Sequence, residues 1–243
     1  VPDDAVVYAP AVAAWLLAQP VAGRITQRLE TTVAAVEREG VRLADGSFIA
    51  AGAVLLANGL QAMTLLPALP LQAKKGHLLI TDRYPGTIRH QILELGYIKS
   101  AHSRSGTSVA FNVQPRPTGQ LLIGSSRQFD SVDPQVEPTV LARMLRRAVD
   151  YLPELANLNA IRAWTGFRPA STDGLPLIGP AASFANDATH PATWLALGHE
   201  GLGVTTALGT AKLLAAQMLG LPPPFDARPY LPARYTQHGI AHA

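Results

Sequence analysis

The chain has 243 residues, of which 48% are hydrophobic and 15% charged, a balance that predicts a folded protein with a sizeable core and excludes a disordered polymer. Glycine and proline occur 20 times each, so we expect many turns and short elements rather than a helical bundle. The 20 Lys and Arg residues against 17 Asp and Glu residues give a net charge of +3. Because the basic residues are scattered, no stripe for a nucleic acid is predicted, and a small or soluble partner is favoured.

The sequence contains no cysteine, which excludes disulfides, thiolate metal sites, iron–sulfur clusters and cysteine nucleophiles. The cytoplasm is the simplest compartment for such a chain. The apolar stretch at residues 6–21 is broken by Pro10 and Pro20 and is shorter than the ~20 residues that a membrane-spanning helix needs. The start of the chain lacks both a secretory signal pattern and an initiator methionine, so we expect it to begin inside a longer protein.

Short elements are predicted in the first part of the chain. A helix is expected over residues 10–17, because proline occupies its first turn. Residues 31–36 alternate weakly in hydropathy, and residues 40–49 predict a hairpin with a tight turn at Asp45–Gly46. Residues 53–57 are apolar throughout, which predicts a strand buried on both faces.

The middle of the chain, residues 76–124, alternates short apolar runs with clusters of proline, glycine and serine, which predicts an antiparallel sheet. A helix is expected next, with Pro138 near its start. Its apolar residues repeat at helical spacing, so we expect Arg143, Arg146 and Arg147 to lie on a face exposed to water.

The last part of the chain is the most informative. Residues 164–179 are dense in glycine and proline around Arg168 and predict a loop. A strand at 193–197 is then expected to enter a glycine-rich turn at 198–203, followed by a helix from about 204 to 219.

A strand that enters a glycine-rich turn and then a helix is suited to binding an anion or a cofactor. The first amides of the helix lack partners, and the helix dipole is positive at that end. Gly198, Gly201 and Gly203 would let a ligand approach the backbone. The alternative is a tight connection without a ligand. Thr206 stands where a dinucleotide-binding fingerprint requires its third glycine, so a first Rossmann unit is excluded.

Arg168 lies between a glycine and a proline in an otherwise apolar stretch. Its guanidinium fork is suited to holding a substrate carboxylate through two parallel hydrogen bonds. A structural role is the alternative of equal weight, either an ion pair with Asp173 or a hydrogen bond to a backbone carbonyl.

Other chemistries lack the residue patterns that they require. The histidines show no metal-ligand spacing apart from His238 and His242, a pair in the terminal tail that we interpret as part of an unstructured segment rather than a zinc site. The chain contains neither the G-x-S-x-G elbow nor the P-loop motif, so serine hydrolase and P-loop nucleotide hydrolase functions are unsupported.

Two stretches resemble the C-terminal signature of the FAD-dependent D-amino-acid oxidase (DAO) family, which includes glycine oxidase and opine and hydroxyproline dehydrogenases. They are WTGFRPASTDGLPLIG at residues 164–179 and LALGHEGLGVT at residues 195–205. Residues 53–59 are similar to the second flavin-contacting strand and turn of the family, and residues 75–79 to its entry into the substrate sheet. The order and spacing agree over nearly the whole chain.

The resemblance implies a mixed α+β or α/β fold, the C-terminal portion of a two-domain flavoprotein with an antiparallel substrate-domain sheet and part of a Rossmann-like FAD-binding domain. It assigns residues 1–70 to the FAD-binding domain, 71–160 to the substrate-binding domain, 161–225 to a return into the FAD-binding domain with a flavin-facing helix, and 226–243 to a tail. The segment that holds the ADP half of FAD in the family has no match here. We therefore expect an incomplete portion of the enzyme, whose partner is that segment or another subunit.

The resemblance also implies roles for single residues. Arg168 resembles the arginine that binds the substrate carboxylate, and Tyr97 and His90 are candidates for the pocket lining, with a core tyrosine and a surface histidine as alternatives. A helix start against the flavin ring would stabilise the negative charge that the ring gains with a hydride. The residues that the resemblance places against FAD are Val36, Ala57, Asn58, Gly59, Gly198, His199, Glu200, Gly201, Leu202, Gly203, Val204 and Thr205.

The implied activity is oxidation of a small amino or imino acid by hydride transfer to FAD. Glycine oxidase-like members have a second arginine after the Gly-His pair, whereas this chain has Glu200–Gly201, which implies a bulkier or differently charged substrate. The main alternative is a cofactor-free substrate-binding or assembly module whose partner chain carries the flavin site. A third is an unrelated α+β binding protein, for which the match at residues 164–179 would be coincidence.

Overall fold

A computed structural model describes residues 5–96, 106–129, 131–182, 184 and 192–237. The chain divides into two compact units. The central unit comprises residues 1–7 and 73–168, and the flanking unit comprises residues 8–72 and 169–243.

The chain forms runs of consecutive strands separated by helices. The strands are β1 (Val33–Glu37), β2 (Gly40–Leu43), β3 (Phe48–Ala50), β4 (Ala53–Leu56), β5 (Leu71–Arg83), β6 (Ile92–Leu93), β7 (Thr107–Pro115), β8 (Gln120–Gln128), β9 (Ala160–Ser171), β10 (Leu177–Pro180) and β11 (Ala192–Leu197). The α-helices are α1 (Ala9–Leu17), α2 (Ala62–Leu65), α3 (Pro138–Tyr151), α4 (Gly203–Met218) and α5 (Arg234–Gln237). None of the helices in the described ranges is long and apolar enough to cross a membrane.

The central unit is built on one five-stranded sheet in the order β6-β7-β8-β5-β9. The pairs β5/β8 and β7/β8 are antiparallel, which confirms the sheet predicted for this part of the chain. Alternate side chains of a strand point to opposite faces, and one face of the sheet packs against α3. The buried core between them contains Leu79, Phe111, Val113, Leu121, Ile123, Met144, Ala148 and Leu155.

The flanking unit contains two small sheets. Strands β1, β2 and β3 form an antiparallel meander, in which the predicted hairpin is confirmed. Strand β11 pairs antiparallel with β10 and parallel with β4. The core is formed by apolar residues from both ends of the chain, namely Val36, Leu56, Ala62, Leu66, Leu69, Leu71, Leu177, Ala181, Leu195 and Leu197.

The loop predicted at residues 164–179 is wrong. Residues 160–171 form β9 and residues 177–180 form β10, with a turn between them. Strand β9 lies at the edge of the central sheet, next to β5. An edge strand tolerates proline because its outward backbone groups need no neighbouring strand, so the proline and glycine content did not prevent pairing.

The burial predicted for residues 53–57 is also wrong. Strand β4 forms, but Leu55 remains 46% exposed and only Leu56 is buried. Within the described residues β4 is the edge strand of a three-stranded sheet. A run of apolar residues predicts a strand, but it does not establish that both of its faces are covered.

The exposed arginine face predicted for α3 holds, since Arg143 and Arg146 are exposed, but the Arg147 side chain, 42% exposed, also has an ionic partner. The Nε atom of Arg147 lies 2.7 Å from Oε2 of Glu94, a carboxylate whose side chain is only 4% exposed. The Arg147 guanidinium also lies over the ring of Tyr151, 5.2 Å from its centroid. This arginine therefore pairs with a buried charge, because a desolvated carboxylate needs a cationic partner.

Candidate active site

Arg168 is a half-buried side chain on β9, the edge strand next to β5. Its Nη1 atom donates a hydrogen bond to the carbonyl of Ser126 on β8, at 3.1 Å. A Cβ atom built on Gly76 of β5 would lie 2.6 Å from Nη1, 2.7 Å from Nη2 and 2.9 Å from Cζ of Arg168. The guanidinium thus crosses β5 at a position that has no side chain.

Of the two structural alternatives for Arg168, the hydrogen bond to a backbone carbonyl is observed. Asp173 has a different ionic partner, since its two carboxylate oxygens accept hydrogen bonds from Nε and Nη2 of Arg234 at 2.6 and 3.0 Å. Arg234 also donates to the carbonyls of Leu175, Pro176 and Leu231. The hydrogen bonds from Arg234 lower the pKa of Asp173 to about 2, against the opposing effect of its burial.

Ser126 is anchored by a buried histidine. The Nε2 atom of His77 accepts a hydrogen bond from the amide of Glu137 at 3.0 Å, so the ring proton resides on Nδ1. Nδ1 lies 2.9 Å from the Ser126 hydroxyl, which also accepts the His77 amide at 2.9 Å. Burial, together with the positive charge of Lys75, lowers the pKa of His77. A neutral imidazole therefore holds the residue whose carbonyl binds Arg168.

Basic side chains gather in this part of the central sheet. Lys74, Lys75 and Arg127 are buried, and Lys74 Nζ lies 4.9 Å from the ring centroid of Phe129. Lys75 pairs in register with Gln128. Lys74 and Arg127 were not singled out from the sequence; the available signal was two adjacent lysines at 74–75 and an arginine at the end of the run at 120–128.

The glycine-rich turn after β11 adopts an unusual backbone conformation. Gly198 has φ +75°, and Glu200 has φ +51° although it carries a side chain. The amide of Glu200 donates to the carbonyl of Pro169 at 2.9 Å, and His199 forms a β-bridge with Ala170. Non-glycine residues with a positive φ are rare, and they concentrate at active sites and ligand sites.

Pro169 also adjoins the other turn proposed to contact a cofactor. Gly59 has φ +62°, and a Cβ atom on it would lie 3.7 Å from Cγ of Pro169. Gly59 and Glu200 therefore both lie next to Pro169.

The N-terminus of α4 has no side-chain cap and is bordered by exposed apolar residues. The helix begins at Gly203, and its N-cap residue Leu202 makes no side-chain capping bond. Leu202 and Val204 are 63% and 55% exposed, so the uncapped amides are bordered by apolar surface. His199 ties the turn to the helix, because its Nε2 atom lies 3.0 Å from the Thr210 hydroxyl. Burial lowers the pKa of His199.

Residues 1–217 match the family model described as FAD dependent oxidoreductase, DAO. The chain belongs to the DAO family. A glycine oxidase of Pseudomonas aeruginosa is 35% identical over 119 residues, covering 49% of this chain and 31% of that protein. A D-amino acid dehydrogenase 2 of the same species is 32% identical over 194 residues, covering 77% of this chain and 41% of that protein.

The solved structure of an L-proline dehydrogenase from P. horikoshii has the same fold, with a TM-score of 0.70 and 20% identity, and the match covers 86% of this chain and 55% of that one. The mixed α/β fold of a DAO flavoprotein predicted from the sequence is thereby confirmed. The DAO family is FAD-dependent. The chain spans less than half of the length of either Pseudomonas relative.

The other residues singled out from the sequence differ in their environments. Val36 is buried in the core of the flanking unit and pairs with Val41, so only its backbone is suited to the proposed contact. His90 is exposed. Tyr97, His238 and His242 lie outside the described residues. In the described ranges no group of His, Asp or Glu residues is arranged to hold a metal ion.

Proposed function

We propose that the protein to which this chain belongs oxidises a small amino or imino acid, with FAD as the hydride acceptor. The observation that carries the proposal is the placement of Arg168, whose guanidinium lies over Gly76 of β5 and bonds to the Ser126 carbonyl of β8. A guanidinium fork binds a carboxylate through two parallel hydrogen bonds and thereby fixes its orientation as well as its position.

Residues of the flanking unit are the proposed contacts of FAD. The turns at 57–59 and 198–200 would supply backbone contacts, and the uncapped start of α4, residues 202–205, would lie against the flavin ring. When bound, FAD supplies the electron-accepting ring that removes a hydride from the substrate. The partial positive charge at the start of α4 would stabilise the negative charge that develops there.

The proposed role of the central unit is to orient the substrate. Once Arg168 holds the carboxylate, the Cα–H bond can take only a limited range of directions, which favours its alignment with the acceptor. Oxidation of the neutral amine yields an imine that water can hydrolyse, and no general base from the chain is needed beyond this positioning.

The remaining assignments stay proposals of the same kind. Residues 71–160 would bind the substrate, residues 1–70 and 161–225 would belong to the FAD-binding domain, and residues 226–243 would be a tail. Tyr97 is the further candidate for contact with the substrate. A small amino or imino acid, together with the segment that completes the FAD site or another subunit, would be its partners, and a cytoplasmic location remains a prediction.

Replacing Arg168 tests this function directly. We expect Arg168→Gln to raise KM for glycine, D-alanine or L-proline steeply, corresponding to about 2–3 kcal/mol of lost charge-assisted hydrogen bonding. The flavin absorbance of the purified protein should be unchanged, because Arg168 is not among the proposed FAD contacts. Unchanged KM values would remove Arg168 from this role. A colourless protein that still binds these amino acids would instead indicate a substrate-binding module whose partner carries the flavin.

A further inference from the structure

We propose that Gly76 is a positioning residue for Arg168, because its missing side chain provides the space in which the guanidinium lies. This inference rests on the proposed role of Arg168 as the carboxylate ligand. It extends that role to a residue of a neighbouring strand that would touch neither substrate nor cofactor.

The backbone does not require glycine at residue 76. Gly76 is absent from the residues with positive φ, so an alanine would fit its local conformation. An alanine would, however, clash with the guanidinium, because the alanine methyl carbon would lie 2.6 Å from Nη1 and 2.7 Å from Nη2 of Arg168. Non-bonded heavy atoms normally stay about 3.5 Å apart or more, so the guanidinium would be displaced by roughly 1 Å.

The neighbouring side chains of β5 have other partners and leave this place to the guanidinium. The His77 ring bonds to the Glu137 amide and to the Ser126 hydroxyl, and the Lys74 ammonium group lies over the ring of Phe129. Because Gly76 has no side chain, Arg168 can cross over β5 at this residue and reach the Ser126 carbonyl on the next strand.

The Ser126 carbonyl is the second group that fixes the position of the Arg168 guanidinium. Ser126 is buried and held by His77 through its hydroxyl, so this acceptor cannot follow a displaced guanidinium. A shift of about 1 Å would therefore break the bond to Ser126 or turn the fork away from the substrate. Misplacement of this size at a reacting centre costs up to ~10²-fold in rate.

The first experiment compares Gly76→Ala with Gly166→Ala in the flavin-containing protein. Gly166 lies on β9, two residues before Arg168, and a Cβ atom on it would meet nothing within 4 Å, so it controls for the loss of a strand glycine. For the best of glycine, D-alanine and L-proline, we expect Gly76→Ala to lower kcat/KM by about 10- to 100-fold. Gly166→Ala should change kcat/KM by less than about twofold. Equal values for the two variants would overturn the proposal.

The second experiment places Gly76→Ala in the Arg168→Gln background. If Gly76 acts through Arg168, its substitution should have almost no further effect on kcat/KM once the guanidinium is gone, since effects of coupled residues do not add. An undiminished 10-fold loss in that background would show that Gly76 acts by another route and would overturn the inference.

The design separates this inference from the proposed function. Should Arg168→Gln leave KM unchanged, the carboxylate role of Arg168 fails. Should Arg168→Gln raise KM while Gly76→Ala behaves like Gly166→Ala, only the role of Gly76 fails. If Gly76→Ala does not fold, recovery of folding in the Gly76→Ala/Arg168→Gln double variant supports the predicted clash, and failure to recover overturns it.

Discussion

The amide of Glu200 donates a hydrogen bond to the carbonyl of Pro169 at 2.9 Å, which joins the glycine-rich turn after β11 to the end of β9. Glu200 accepts a left-handed conformation to make this bond. Such a conformation costs a non-glycine residue about 1–2 kcal/mol, so the surrounding contacts must hold the turn. A substitution at Gly198, two residues earlier, tests whether the stability of the protein depends on this turn.

We expect Gly198→Ala to destabilise the protein by about 1–3 kcal/mol, because φ there is +75° and the new methyl would lie 3.3 Å from Leu71 Cδ2 and 3.4 Å from Ser171 Cβ. Gly203→Ala is the matched control, since its methyl would meet only His199 Cβ, at 3.6 Å, and alanine favours a helix. Thermal unfolding of both variants measures the difference. A melting temperature of Gly198→Ala equal to that of Gly203→Ala would contradict the prediction.

The ion pair of Asp173 with Arg234 should make stability depend on pH at the acidic end. The pKa of Asp173 is lowered from its ordinary 3.8 to about 2 in the folded protein, so the unfolded chain takes up the proton first as the pH falls. The stabilisation is present above about pH 4 and is lost between about pH 4 and pH 2. We expect Asp173→Asn to cost about 1–2 kcal/mol at neutral pH, after allowance for its partial exposure.

Asp226→Asn controls for the Asp173 experiment, because Asp226 pairs with Arg228 at 2.8 Å but both side chains are largely exposed. Exposed pairs contribute little to stability. Urea unfolding at neutral pH and at about pH 3 should show a pH-dependent loss for wild type that Asp173→Asn reduces and Asp226→Asn does not. Identical curves for the two variants would remove the Asp173 pair as a source of acid sensitivity.

The buried neutral His77 predicts a second pH dependence, nearer to neutrality. Its pKa in the folded protein lies below the ordinary 6.5, so below about pH 6.5 the unfolded state binds the proton first and stability falls as the pH falls. We expect His77→Asn to be less stable at neutral pH, because the bonds to Ser126 and Glu137 are lost or altered. Its stability should also depend less on pH between about pH 7 and pH 5.

Chemical unfolding at several pH values between about pH 7 and pH 5 measures how steeply the free energy of unfolding changes with pH. His199, whose pKa is also lowered, should keep part of the dependence in the His77 variant. His90→Asn serves as the comparison, because His90 is exposed. A slope unchanged by His77→Asn would show that the folded state takes up its proton as readily as the unfolded chain.

The pair between Arg147 and the buried Glu94 carboxylate should matter more than its position on an apparently exposed helix face suggests. We expect Arg147→Ala to destabilise the protein by about 1–3 kcal/mol, because it leaves Glu94 without its guanidinium partner. Arg143→Ala, on an exposed position of the same helix, should change stability by less than about 0.5 kcal/mol. Equal melting temperatures for the two variants would contradict the buried pair.

Local patterns in the sequence determined the elements that depend on neighbouring residues. Alternating apolar runs predicted the antiparallel sheet of β5, β7 and β8, and glycine after an apolar helical run predicted the end of α4. The long Gly-Phe-Arg-Pro block predicted the family that the comparisons confirm. Each of these signals lies within a short stretch of the chain, so a single sequence is enough to detect it.

Only the tertiary structure decided that residues 160–171 form an edge strand and that β4 keeps an exposed face. It alone revealed that Arg168 lies over Gly76, that Asp173 pairs with Arg234 and that Arg147 pairs with Glu94. The physical reason is the same in each case. Hydrogen bonding, ion pairing and the space above a glycine depend on which distant segments the fold brings within a few ångströms, and neither composition nor periodicity encodes those distances.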